Sequence, residues 1–195
     1  MDDIVIKGMA KWPDVPAVCG WLALDRRGSW LLKRERIANP AVTGFIGRNY
    51  AHDERGRWFF QNGPQRVYVD LEYTPLVYRL DIGAGGELQL AAHSGKRTRA
   101  ARGAWIDEFG ALLVDTDLGI GVINDKDLDI ALSAMKDADG RSLDDDALER
   151  SMTELQHGAD AKLYLHGFET PLRVQPIQSR DVARRFGFEP RPTAH

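Results

Sequence analysis

Four copies of one turn signature, Asp-x-x-Gly, punctuate the chain: Asp25 to Gly28, Asp53 to Gly56, Asp107 to Gly110 and Asp137 to Gly140. An aspartate side chain can accept a hydrogen bond from the backbone two residues on, and glycine takes positive φ without steric cost. Each signature therefore predicts a reversal of the chain. Short apolar runs flank them. Val18–Leu24 precedes the first and Trp30-Leu31-Leu32 follows it. Trp58-Phe59-Phe60 follows the second, and Leu112-Leu113-Val114 the third. A chain that reverses this often builds mostly antiparallel sheets, with helices fitted into the longer intervals. The fold class expected is α+β.

Four intervals predict helices. Asn39 as N-cap with Pro40 at the first helical position opens one, with Val42, Phe45, Ile46 and Tyr50 on its inner face. Asn124 opens a second, with Asp125 and Asp127 near its positive end and Leu128, Ala131, Leu132 and Met135 inward. Residues 142–158 read as a third, from a Ser142 cap to a Gly158 stop, with Leu148, Met152 and Leu155 inward. Ser179–Phe186 reads as a fourth, with Val182 and Phe186 on one side. The lead-in over 1–17 contains Trp12-Pro13 and Val15-Pro16 and reads as irregular, with Ile4-Val5-Ile6 as a short edge strand. The glycines at 83, 85 and 86 read as a loop before a strand at Leu88 and Leu90, and the basic stretch 93–103 reads as a linker.

The spacings suggest a doubled plan. The first pair of Asp turns lies 28 residues apart and the second pair 30. Tyr68 precedes Thr74-Pro75 as Tyr164 precedes Thr170-Pro171, six residues before the Thr in each. Asp53 to Pro75 spans 22 residues and Asp137 to Pro171 spans 34, so the second copy gains about 12, which the helix at 142–158 accounts for. The division expected is an N-terminal repeat over 1–95, a C-terminal repeat over 104–180 and a tail over 181–195.

Within the first copy, the stretch from Asp53 to Leu80 is the one the rest is organised around. Over 65–73, Val67, Val69, Leu71 and Tyr73 alternate with Arg66, Tyr68, Asp70 and Glu72. This period of two predicts a half-buried strand. Asn62-Gly63 supplies a turn before it, and Pro64, lacking an N–H, argues for a loop longer than two residues.

Composition bounds the function. The chain has 195 residues, 43% hydrophobic and 28% charged, enough for a packed core. A net charge of −3 argues against a general nucleic-acid binder. One cysteine, Cys19, excludes an internal disulfide and fits a reducing compartment. No apolar run reaches membrane-spanning length, and the acidic start is unlike a secretory signal, so a cytoplasmic protein without a membrane partner is expected.

The succession Gly28-Ser29-Trp30, a Pro-opened helix over 40–50, Asp53 to Trp58, and the strand ending at Pro75 resembles the proteobacterial domain of unknown function 1285 (DUF1285) or a cousin of it. The resemblance covers about residues 20–180. It implies an α+β fold of two repeated motifs and a role in ligand sensing or signalling. It carries over no catalytic residue, and the acidic insertion departs from it.

No recognisable chemistry stands out. None of His52, His93, His157, His166 and His195 lies within four residues of another, so zinc-ligand spacing is absent. Asp137, Asp139 and Gly140 followed by Asp144 to Asp146 hint at a calcium loop, but Met135 would occupy its first ligand position. Gly119-Ile120-Gly121 is a fragment of a dinucleotide fingerprint with Asn124 at its third glycine position. Cys19 reads as a buried thiol, and no cofactor is implied. Lys96, Arg97, Arg99 and Arg102 could hold a phosphate or an acidic partner, or form a solvated loop, and the segment 107–154 holds 14 acidic residues against four basic ones.

The polar and aromatic set around the central hairpin is the candidate ligand site: Arg48, Asn49, Trp58, Gln61, Asn62, Gln65, Arg66, Tyr68 and Glu72. The reading is a noncatalytic module for a small molecule or a protein partner, with its groove where the two repeats meet. Two alternatives stand beside it. One is a hydrolase or isomerase using Asp70 or Glu72 with Arg66; the other is a self-associating scaffold that forms homo-oligomers.

Overall fold

The computed structural model describes residues 1–12 and 15–193. Pro13 and His195, both drawn into the sequence reading, lie outside the described residues. The chain folds as two compact units. The first comprises Met1–Pro75, His93–Gly95 and Ala183–His195; the second comprises Leu76–Ala92 and Lys96–Val182. The chain passes from one unit to the other after Pro75, Ala92, Gly95 and Val182.

The first unit begins with helix α1 (Asp3–Lys11), where an edge strand was expected. Its three β-branched residues, Ile4, Val5 and Ile6, sit in its first turn, and only Val5 is buried. Asp3 near the positive end and Lys11 near the negative end suit the helix dipole. The sheet follows with β1 (Val18–Leu24), β2 (Trp30–Leu32) and β3 (Glu35–Arg36). Helix α2 (Pro40–Arg48) then leads to β4 (Tyr50–His52), β5 (Trp58–Asn62) and β6 (Gln65–Leu71). The strands lie in the order β3-β2-β1-β6-β5-β4, and β1 pairs β6 in parallel. The expected cap of α2 is present: Asn39 Oδ1 accepts the N–H groups of Ala41 and Val42.

Two local expectations change. Strand β1 is not uniformly buried: Gly20 takes φ 72°, the register with β6 shifts between Val18 and Leu22, and Trp21 turns outward. The β5–β6 hairpin is tight, because Asn62 pairs Gln65 and only Gly63-Pro64 connect them. Gly63 takes the positive φ at the first loop position, and Pro64 fills the second, where no ladder N–H is called on. Strand β6 is also covered on both sides. Val69 and Leu71 are buried on one face and Tyr68 on the other.

The second unit holds β7 (Leu76–Ile82), β8 (Leu88–Ala92), β9 (Arg97–Thr98), β10 (Ala101–Ile106), β11 (Leu112–Thr116) and β12 (Gly119–Ile123). After a 3₁₀ turn at Asp125–Asp127 come helix α3 (Leu128–Ser133), β13 (Met135–Lys136), helix α4 (Asp145–Gln156), β14 (Tyr164–Leu165) and β15 (Leu172–Pro176). Their order is β13-β14-β15-β10-β11-β12-β7-β8-β9. The expected linker is thus sheet: Arg97 and Thr98 pair with Ala91 and Leu90. The third expected helix forms as α4, but its cap is Asp144, whose Oδ1 accepts the Ala147 N–H, rather than Ser142.

Read from β12 inward, β12-β11-β10-β15-β14-β13 has the same order as β3-β2-β1-β6-β5-β4, with a helix between the third and fourth strands of each. The parallel pair is β1–β6 in one and β10–β15 in the other; the other neighbours in both runs are antiparallel. The Asp turns fall at comparable places. Asp25 and Asp107 turn the first strand into the second. Asp53 turns the fourth into the fifth, whereas Asp137 turns the fourth back to a bridge between Lys136 and Ser142, and α4 comes before the fifth. In every case Oδ1 accepts the N–H groups two and four residues on. The Thr-Pro pairs do not match: Thr74-Pro75 follows β6, whereas Thr170-Pro171 precedes β15.

Helix α5 (Ser179–Phe186) forms over the residues expected, with Val182 buried. The segment after it is docked rather than loose. Phe188 is buried, Glu189 N–H bonds the Gly56 carbonyl, and the Pro190 carbonyl accepts the Leu71 N–H. A side chain at Gly56 would run into the Gly187 carbonyl, and its φ of 73° is already left-handed. Gly56→Ala is therefore expected to cost more than about 1 kcal/mol in chemical denaturation and to expose the segment after Phe186 to proteolysis.

Two of the Asp turns differ in burial. Asp107 is wholly buried, while the hydrogen bonds of Asp137 are exposed. Asp107→Ala should cost about 1–2 kcal/mol, because a buried acceptor and its two part-buried hydrogen bonds are lost. Asp137→Ala should cost less than about 1 kcal/mol, since water can replace it. Urea unfolding of the two variants measures the difference.

Candidate functional site

A cavity of about 590 Å³ in the first unit lies beside the first Asp turn. Arg27, Gly28, Ser29 and Trp30 come from that turn and the start of β2. Arg36 to Ala38 bring the end of β3, and Pro40, Thr43 and Gly44 bring one face of α2. His93, Ser94 and Gly95 complete the lining. The loop and the helix meet closely here: a side chain at Gly47 would strike the Ser94 backbone at 2.8 Å. One turn earlier, Gly44 faces space, where a Cβ would touch only Arg48 Nη1 at 3.4 Å.

Burial sets the electrostatics of this cavity. The His93 ring packs 5.1 Å from Trp30 and 5.5 Å from Tyr50. Desolvation pushes its imidazole down to about 3, against a smaller upward pull from Asp25. It is therefore neutral at physiological pH. Ser94 is buried, and its Oγ has no hydrogen-bond partner. Such a group costs stability unless something meets it. Thr43 is different, because its hydroxyl donates to the Pro40 carbonyl.

The nine sequence candidates do not line this cavity. Arg48 pairs with Asp2 at 3.2 Å, and Asn49 accepts the Asp2 N–H and donates to Phe45, so both anchor the start of α1. Trp58 packs on Tyr50 and His52. Gln61 is buried, donating to the Gly63 carbonyl. Arg66 lies 4.1 Å from the centre of the Phe59 ring. Tyr68 donates to Asp53, and Glu72 accepts the Arg26 N–H. Gln65 donates to the Pro16 carbonyl; it and Asn62 line a second, apolar cavity of about 320 Å³ with Trp21, Leu22, Phe45 and Phe60.

The carboxylate alternative finds its groups apart. Burial raises the Asp70 carboxyl while Arg191 opposes it, and Glu72 is exposed and bonded to the first turn. Asp53 is the better-held acid. Burial alone would raise it, but the Arg57 side chain and the N–H groups of Arg57 and Arg55 outweigh that and hold it below its usual range. Among the described residues, no group of three or more His, Cys, Asp or Glu is placed to hold a metal ion.

Sequence reasoning had marked Gly28-Ser29-Trp30 and the Pro40 helix, though only as fold signals. It placed His93 at the head of a linker. Nothing in the local pattern announces that 93–95 returns to the first unit.

The depressed His93 predicts a pH response. An unfolded imidazole titrates near 6.5, so the unfolded chain binds more protons than the folded one below that pH. Stability is fully present above about 6.5 and falls as pH drops toward about 3. From about pH 7 to about pH 5 the protein should lose about 2 kcal/mol that a His93→Asn variant does not lose. Urea titrations at the two pH values measure it.

Comparisons with known proteins bear on the fold. A family model, DUF2944, described as "Protein of unknown function (DUF2946)", matches residues 1–193. The crystal structure of a DUF1285 family protein from Silicibacter pomeroyi DSS-3 is similar over 94% of this chain and 100% of that one, with TM-score 0.55 and 14% identity. A DUF1285 family protein from Shewanella baltica OS155 covers 55% of this chain and 86% of its own, with TM-score 0.41 and 11% identity. The resemblance to DUF1285 read from the turns thus holds for the fold, as a distant cousin. A search of curated proteins gave no match.

Proposed function

The chain belongs to the family described as "Protein of unknown function (DUF2946)", and we propose that it is a noncatalytic module that binds a small ligand in the cavity beside Ser94. The observation that carries this is a ligand-sized space lined by Ser94, a buried residue whose hydroxyl has no hydrogen-bond partner. Rigid elements frame that space: a hydrogen-bonded Asp turn, a capped helix and an aromatic cluster. The glycine at 44 leaves it open.

We infer further that the module arose by doubling one six-stranded unit. The shared strand order and the four Asp turns at comparable places support this. The cavity is a feature of the first unit and needs no groove between copies.

A thermal-shift screen of small metabolites tests the binding reading. A ligand at about 100 times its dissociation constant should add about 2.7 kcal/mol to stability. Gly44→Leu, which fills the cavity from the helix, should abolish that gain while the variant itself stays folded. A hit that stabilises Gly44→Leu equally binds elsewhere and contradicts the proposal.

A further inference from the structure

We propose that the group this cavity recognises is an anion, a phosphate or a carboxylate, held by Arg27 and Arg36 with the hydroxyl of Ser94. The inference rests on the cavity being the binding site and adds the chemical class of its occupant. Arg27 and Arg36 are among the residues lining the space, and none of the lining residues carries a carboxylate. They stand on separate elements, the first Asp turn and the edge strand β3, so a planar or tetrahedral anion can be met from two directions.

The nearby groups decide which atoms make the hydrogen bonds. Asp25 is the carboxylate whose charge reaches His93, and its Oδ1 already accepts the N–H groups of Arg27 at 2.9 Å and Ser29 at 2.7 Å. The first-turn amides of α2 are also used: Ala41 and Val42 donate to Asn39 Oδ1, and Thr43 donates to the Asn39 carbonyl. The helix therefore adds the field of its positive end rather than hydrogen bonds. The Thr43 hydroxyl is turned to Pro40. The buried Ser94 hydroxyl has no partner, and turning it toward the space would let it donate to the anion. His93, neutral at physiological pH, forms a wall with Trp30. The volume exceeds that of a bare phosphate, leaving room for an organic body against this wall.

The test is an amide-resolved NMR titration of the full chain with inorganic phosphate, with acetate and with uncharged glycerol. The expected result is saturable movement of the Ser29, Thr43 and Gly95 amides with an anion, weakened by added sodium chloride. Arg36→Gln, a change at an exposed edge position, should weaken it about tenfold, and Ser94→Ala should weaken it by a smaller factor. Stronger movement with phosphate assigns a phosphate group; stronger movement with acetate assigns a carboxylate. The inference is overturned if neither anion moves these amides, or if Arg36→Gln leaves the anion response unchanged. If an uncharged screening hit moves them while neither anion does, the binding site stands and the anion assignment falls. If every stabilising screening hit leaves them still, the parent reading falls as well.

Discussion

One interaction recurs at four of the places where this chain reverses: an aspartate carboxylate oxygen accepting two backbone N–H groups of its own turn. It turns a flexible loop into a fixed corner. The strands on either side then meet in one register, and a glycine three residues on absorbs the positive φ that the corner requires. At Asp53 the same carboxylate also takes the Arg57 guanidinium and the Tyr68 hydroxyl, so the corner is tied to the sheet it serves. At Asp107 the carboxylate itself is buried, so its hydrogen bonds become a condition of packing as well as of local shape.

From those corners the two sheets follow. Each six-strand run contains one parallel contact, made when its last strand comes back beside its first. The connection between these strands carries a helix, as a parallel pairing requires room to return. In the first unit that helix, α2, packs a glycine against the Ser94 backbone on one turn and leaves a glycine facing empty space on the turn before. The cavity is thus a consequence of two small residues one turn apart on a helix surface.

Much of this was legible in the residues. Asp25, Asp53, Asp107 and Asp137 announced their turns because an Asx turn needs only its own neighbours. Asn39-Pro40 announced α2 for the same reason. Helix α1 was misread because its Ile4-Val5-Ile6 run favours strand locally, while burial of Val5 and the capping charges decide for helix. The larger misses were long-range. Strand β7 looks like a continuation of the central hairpin, yet it pairs β12, more than 40 residues later. Arg66 and Glu72 alternate with buried residues as a ligand-facing row would, but each is bonded to a neighbour in its own unit. The cavity joins residues near 28, 44 and 94, and no periodicity connects those three segments.

The most direct test of the account is an experimental high-resolution map of the protein crystallised with millimolar phosphate. The account predicts density for an anion within hydrogen-bond reach of the Arg27 and Arg36 guanidinium groups and of Ser94 Oγ. A map in which Ser94 Oγ bonds the protein's own chain, and the space before it is filled by the protein's own side chains, would contradict it.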